Sequence, residues 1–150
     1  MRKITPEYKA KIAEQWAYVC EKEAKESKEK CNSSEKIYNI CADLKTKRQE
    51  LFYCLTLNSK CELIQKHKIA EGIANSCLVH PREIFYPAIK DNAISIIVVH
   101  NHPSGETNPS SEDDSVTIRL KEAGKILGIV VLDHIIIGNG YYSYQEQGKI

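Results

Sequence analysis

Ile94-Ser95-Ile96-Ile97-Val98-Val99-His100-Asn101-His102-Pro103-Ser104-Gly105 is the stretch around which the rest of the chain arranges itself. Its first half is β-branched except for one serine and reads as a fully buried strand. His100 and His102 are two residues apart, so an extended backbone sends both imidazoles to the same side. Pro103, Gly105 and Pro109 then break the chain into a tight loop. Beyond the loop, Ser110 and Asp113 stand at i and i+3 in the first turn of a helix, hence on one face. Two imidazoles and a carboxylate make three N/O ligands and leave the fourth position of a Zn²⁺ ion open to water. That is the stoichiometry of a catalytic zinc site rather than a closed structural one. Each part also has a plainer use. A His-x-His pair alone carries little information, and Ser110-x-x-Asp113 equally spells a helix capping box. It is the conjunction, a loop that returns a carboxylate directly after two paired histidines, that points to a metal.

Working outward from this stretch, the C-terminal side continues as a long helix. Val116, Leu120, Ala123 and Leu127 recur at helical spacing, and Gly128 is placed to end it. Residues 129–137 and 141–144 read as strands about the Gly138-Asn139-Gly140 turn. On the N-terminal side, His80-Pro81-Arg82-Glu83 opens a helix with proline at its first position, continuing through Phe85, Ala88 and Ile89. Before that, residues 51–57 and 61–68 read as partner strands around Asn58-Ser59-Lys60. Ala70-Glu71-Gly72 follows as a loop and 77–79 as a short third strand. Asn32 with Glu35 three residues on predicts a capping box for a helix whose face is Ile37, Ile40, Cys41 and Leu44.

Thr5-Pro6-Glu7 starts an N-terminal helix with an apolar stripe of Tyr8, Ile12, Trp16, Val19 and Cys20. The charges that follow it, in 21–30, alternate in sign, which marks a solvated face and not an arm for nucleic acid. The element order predicts an α+β domain with helices packed on a mixed sheet. Residues 1–34 form a helical extension in this reading, and 35–150 the domain.

His100-x-His102, seven residues, then Ser110-x-x-Asp113 resembles the JAMM motif of JAB/MPN-domain metalloproteins. The string His-Asn-His-Pro-Ser-Gly, with Leu120-Lys-Glu-Ala-Gly124 and Leu132-Asp-His-Ile135, is similar to the RadC branch of that superfamily, from about Ile37 to the C-terminus. The resemblance implies a JAB/MPN-like, cytidine-deaminase-like fold with a mixed sheet flanked by helices. It implies His100, His102 and Asp113 as zinc ligands and Ser110 as a partner for the oxyanion of the transition state. It also implies a glutamate at the start of the first strand as general base. Glu50 is the position that matches, and Glu83, in the first turn of a helix, is the rival. The activity implied is hydrolysis of an amide or isopeptide bond by a metal-activated water. The alternative on the same fold is a non-catalytic DNA-repair or recombination accessory, with DNA or repair proteins as partners. RadC proteins commonly carry a helix-hairpin-helix segment before this point, and residues 1–36 contain no such glycine-bearing hairpin. His134 reads as a structural residue or as a support for the ligands. His67 and His80 read as surface residues without partners.

The formal net charge of +1 argues against a chain whose main task is to coat nucleic acid. No apolar run reaches the length of a membrane span and no signal-peptide core opens the sequence, so the expectation is a cytoplasmic protein. The six cysteines show no Cys-x-x-Cys pair. Cys41, Cys54 and Cys77 lie among apolar residues and read as buried free thiols of a reducing compartment.

Overall fold

The computed structural model describes residues 7, 10–15, 29–72 and 79–150. Residues 7 and 10–15 are helical; the rest of the expected N-terminal stripe, and most of the expected strand at 77–79, lie outside the described residues. Among the described residues five strands form one sheet: β1 (Leu51–Leu57), β2 (Leu63–Glu71), β3 (Ser95–Asn101), β4 (Val130–Ile137) and β5 (Tyr141–Ser143), in the order β2-β1-β3-β4-β5. Of these strands only β3 and β4 run parallel to each other. A parallel pair needs a long crossover, and here α3 (Ser111–Leu127) supplies it. α1 (Ser34–Ile40), with the 3-10 turn Ala42–Thr46 after it, and α2 (Pro81–Lys90) complete the domain. The α+β architecture with a mixed sheet flanked by helices is the one expected.

Each face of the sheet buries its own apolar cluster. Phe52, Cys54, Ile96, Val98 and Val131 meet Ile84 and Phe85 of α2 and Val116 and Leu120 of α3. Leu51, Leu55, Ile97, Val99, Ile135 and Ile137 point the other way and meet Ile37 of α1, Cys41 and Leu44. β3 therefore has both faces covered, and all seven of its residues are buried, which is why residues 96–99 are β-branched without alternation. The same period of two assigns His100 to the α3 face and Asn101 to the α1 face.

α3 begins and ends as its sequence requires. Ser110 is the N-cap of a complete capping box with Asp113, and Gly128 takes the left-handed conformation (φ 71°), its N–H on the carbonyl of Gly124. Gly124 lets the helix lie against the chain entering β4: a Cβ there would stand 2.5 Å from the main-chain oxygen of Ile129.

Three local readings are corrected. The N-cap of α1 is Ser33, whose hydroxyl accepts from Lys36 N, while Asn32 instead takes the Lys36 ammonium at 2.8 Å. β2 starts at Leu63 because the Asn58 side chain accepts from the N–H groups of Lys60 and Glu62 and holds them in the turn. It then runs through Ala70 and Glu71, which pair with Phe52 and Leu51, where a loop was expected. His67 is not partnerless either. Its Nε2 lies 2.6 Å from Asp91 Oδ2, which also accepts from Thr56, so this pair ties the end of α2 to β1 and β2.

Candidate metal centre

The centre lies where β3 ends, between the start of β1 and the first turn of α3. His100, the penultimate residue of β3, is fully buried, its ring stacked on Phe52 at 5.5 Å between centroids. His102 follows the strand, held by its own N–H on the carbonyl of Ile137 at 2.9 Å. The two Nε2 atoms face each other at 3.0 Å. Asp113 completes a triangle, with Oδ1 3.2 Å from His100 Nε2 and Oδ2 3.5 Å from His102 Nε2. Glu50, immediately before β1, puts Oε1 4.0 Å from His100 Nε2. Glu50, His100 and His102 can bring three ligand atoms within 4.8 Å of one another and are a candidate metal-binding group.

The donor set fits a small divalent cation. Four ligands on tetrahedral Zn²⁺ at 2.0–2.1 Å stand about 3.3 Å from one another. The separations of 3.0, 3.2 and 3.5 Å among His100, His102 and Asp113 scatter about that edge. His102 Nδ1 lies 3.0 Å from the carbonyl of Glu106, which can only accept. Its proton is therefore on Nδ1, and the neutral ring offers a lone pair at Nε2, toward His100 and Asp113.

The electrostatics agree. Burial alone would push the Asp113 carboxyl up, but the adjoining His100 and His102 rings and the Ser110 hydroxyl outweigh it and hold the group well below the usual carboxylate range. The Asp113 contact in turn raises His102. For Glu50, burial is the largest influence and raises its carboxyl despite the neighbouring histidines. The remaining acid in contention, Glu83, sits on the exposed face of α2 against Arg82 at 2.9 Å. The structure thus brings together all five residues singled out in the sequence, and of the two rival glutamates it is Glu50 that reaches the histidines. The two readings of Ser110 and Asp113 hold together. Ser110 Oγ accepts from Asp113 N and donates to Asp113 Oδ2 at 2.6 Å, so the cap aims the carboxylate at the histidines.

The contacts of Asn101 escape a reading of the sequence alone. Asn101 Oδ1 accepts from Leu51 N at 2.8 Å and its Nδ2 donates to Gln49 O at 3.1 Å, so the residue between the two histidines grips both neighbours of Glu50. Its place in His-x-His is the only signal. His134 Nε2 meets His100 Nδ1 at 2.8 Å, and the ring stacks on Tyr144. Asp133, beside it, is nearly buried and gathers Ser34, Ser143 and the N–H groups of His134 and Gln145. These ties fix β4 and β5 to α1.

Two histidines from a strand end and a glutamate from the start of the neighbouring strand thus form a possible metal-binding group on a mixed sheet with one parallel crossover. The chain belongs to the RadC-like JAB domain family, whose profile matches residues 31–149. Similar proteins include the UPF0758 protein of Trichlorobacter lovleyi, 50% identical over 109 residues, covering 72% of this chain and 47% of that protein. The UPF0758 protein of Thermotoga maritima is 42% identical over 123 residues, 81% of this chain and 55% of its own. That of Rubrobacter xylanophilus is 51% identical over 102 residues, 68% of this chain and 45% of its own. The chain spans about half the length of the curated relatives it matches. Among the described residues no helix is long and apolar enough to cross a membrane.

Proposed function

We propose that this chain is a zinc-dependent hydrolase of an amide or isopeptide bond in a peptide substrate, with His100, His102 and Asp113 as the ligands and Glu50 as general acid–base. The observation behind this reading is the convergence of three donor atoms at tetrahedral spacing with a second carboxylate, that of Glu50, 4.0 Å from His100 Nε2. A zinc ion held there would lower the pKa of a water to roughly 7 and polarise the scissile carbonyl.

The protein's own groups do the rest. Glu50 takes the proton of the attacking water and returns it to the leaving nitrogen. A carboxylate raised by burial is a better base than a solvated one and a usable acid afterwards. Asn101 holds the backbone on either side of Glu50, so the carboxylate stays in reach through both transfers. Ser110 stands at the N-terminus of α3, where negative charge is favoured. Its hydroxyl now donates to Asp113 Oδ2, and rotation toward the substrate would offer that proton to the tetrahedral oxyanion.

The test is metal analysis followed by turnover. Purified protein should contain about one zinc per chain, and His102→Ala should lose it. The zinc form should cleave generic peptide or isopeptide substrates and stop when chelator is added. Zinc retained by His102→Ala would remove the ligand assignment. Stoichiometric zinc without turnover on any such substrate would remove the hydrolase.

A further inference from the structure

One chain of contacts joins Asp113 to His100 through the interior, separate from their direct approach. Thr117 Oγ1 lies 2.7 Å from the main-chain oxygen of Asp113, one turn back along α3, and 2.6 Å from His134 Nδ1. His134 Nε2 lies 2.8 Å from His100 Nδ1. Thr117, His134 and His100 are all buried, and among the described residues no buried side-chain N or O lacks a partner.

The direction of every proton in the chain follows from its first member. A carbonyl oxygen only accepts, so the single hydroxyl proton of Thr117 goes to Asp113 O. Thr117 Oγ1 must then accept, and His134 Nδ1 is the donor. A neutral imidazole has one N–H, which leaves His134 Nε2 as an acceptor. His100 Nδ1 therefore donates to it, and His100 Nε2 keeps its lone pair. That atom is the one facing His102 Nε2 and Asp113 Oδ1. The reverse order would put a proton on His100 Nε2, against any cation.

We infer that His134 and Thr117 are positioning residues that set the tautomer of His100, so that its Nε2 is offered unprotonated to the ion. The backbone carbonyl of one ligand residue, Asp113, thereby dictates the proton position on another, His100. Thr117→Val keeps the shape of the side chain but removes the acceptor. His134 then has no partner for Nδ1–H, its proton moves to Nε2, and His100 Nδ1 becomes the acceptor, with its own proton on the metal-facing nitrogen.

Two measurements test this, and only the second rests on the proposed metal site. In metal-free protein, at a pH where the rings are neutral, ¹⁵N correlation spectra of the histidine rings should show His100 as the Nδ1–H tautomer in the wild type and as Nε2–H in Thr117→Val. Zinc affinity, by competition with a chromophoric chelator, should fall roughly 10–100-fold in Thr117→Val and in His134→Phe, the usual scale for residues that orient a ligand. Thr117→Ser, which restores the hydroxyl, should recover it. An Nε2–H tautomer in the wild type, wild-type affinity in Thr117→Val, or no recovery in Thr117→Ser would each overturn the inference. If the wild type takes up no zinc at all, the metal reading fails, while the ring spectra of the wild type still decide the relay.

Discussion

Replacing Gly138 with alanine should loosen the metal centre without altering any of its side chains. A Cβ at 138 would stand 2.3 Å from the main-chain oxygen of Gly105, 2.7 Å from its carbonyl carbon and 3.0 Å from the oxygen of Glu106. Ordinary contact begins near 3.4 Å, so the β4–β5 turn and the loop after His102 must part by about 1 Å. His102 is held from both sides of that contact. Its N–H donates to Ile137 O, its Nδ1 donates to Glu106 O, and Asn139 N donates to Gly105 O at 2.8 Å. Zinc–ligand distances tolerate only about 0.2 Å, so a displacement of this size should weaken zinc binding roughly 10–100-fold. The overpacking itself should cost about 1–3 kcal/mol of metal-free stability. Chelator competition reads the first effect and thermal unfolding of the metal-free protein the second. Gly140→Ala is the control, since a Cβ there meets nothing within 4 Å. A Gly138→Ala variant with wild-type zinc affinity, or an equal loss in Gly140→Ala, would refute the reasoning.

Glu50→Gln should keep zinc near the wild-type level and reduce turnover by roughly 10²–10⁴, the usual scale for general acid–base catalysis. Glu83→Gln, on the exposed face of α2, should change neither; the opposite pattern in steady-state kinetics would exchange their roles. Burial pushes the Asp91 carboxyl up, but hydrogen bonds from Thr56 and His67 outweigh it and lower the group in the folded state. Its contribution to stability should therefore be complete above the unfolded carboxylate value of about 4 and disappear as pH falls below it. Asp91→Asn should flatten that acid limb in pH-dependent denaturant unfolding; an unchanged limb would exclude the pair as its source. Burial raises the thiols of Cys31 and Cys41 to about 11 and that of Cys54 to about 12. All three should resist alkylation at neutral pH until the protein unfolds. Denatured, unreduced protein should then titrate six thiols, and a reproducibly lower count would show bridging.

What could be read from the sequence was local. The β-branched run ending at His100 became a strand buried on both faces, and the Ser110-x-x-Asp113 signature became a capping box, because both depend on residues a few positions apart. The mixed sheet followed from element order. Glu50 was reached only through the family pattern, since nothing in its neighbours distinguishes a buried carboxylate from a solvated one. Asn101, Thr117 and the His67–Asp91 pair were not legible, because each bonds across elements whose register no nearby residue encodes. The displaced cap at Ser33 and the longer β2 show a different limit. Asn32 and Ser33 are equally good caps by residue type, and the helix takes Ser33 while Asn32 accepts from the Lys36 ammonium. Pairing with β1 kept Ala70 and Glu71 in a strand despite the glycine that follows.

Asn101 sets a condition on transplanting this centre into another protein. Copying His-Asn-His onto a foreign strand would carry the two histidines and leave Glu50 behind. The middle amide would also be stranded: without Gln49 O and Leu51 N, its buried donor and acceptor would go unpaired, at about 1–3 kcal/mol each. Placing a glutamate nearby would not repair this, because the amide grips the backbone on either side of residue 50 and not its side chain. The smallest portable unit is therefore an antiparallel β1–β3 pair in its native register, joined to the first turn of α3. A scaffold that lacks an antiparallel neighbour on that side of the strand could receive the two histidines but not a glutamate held as Glu50 is.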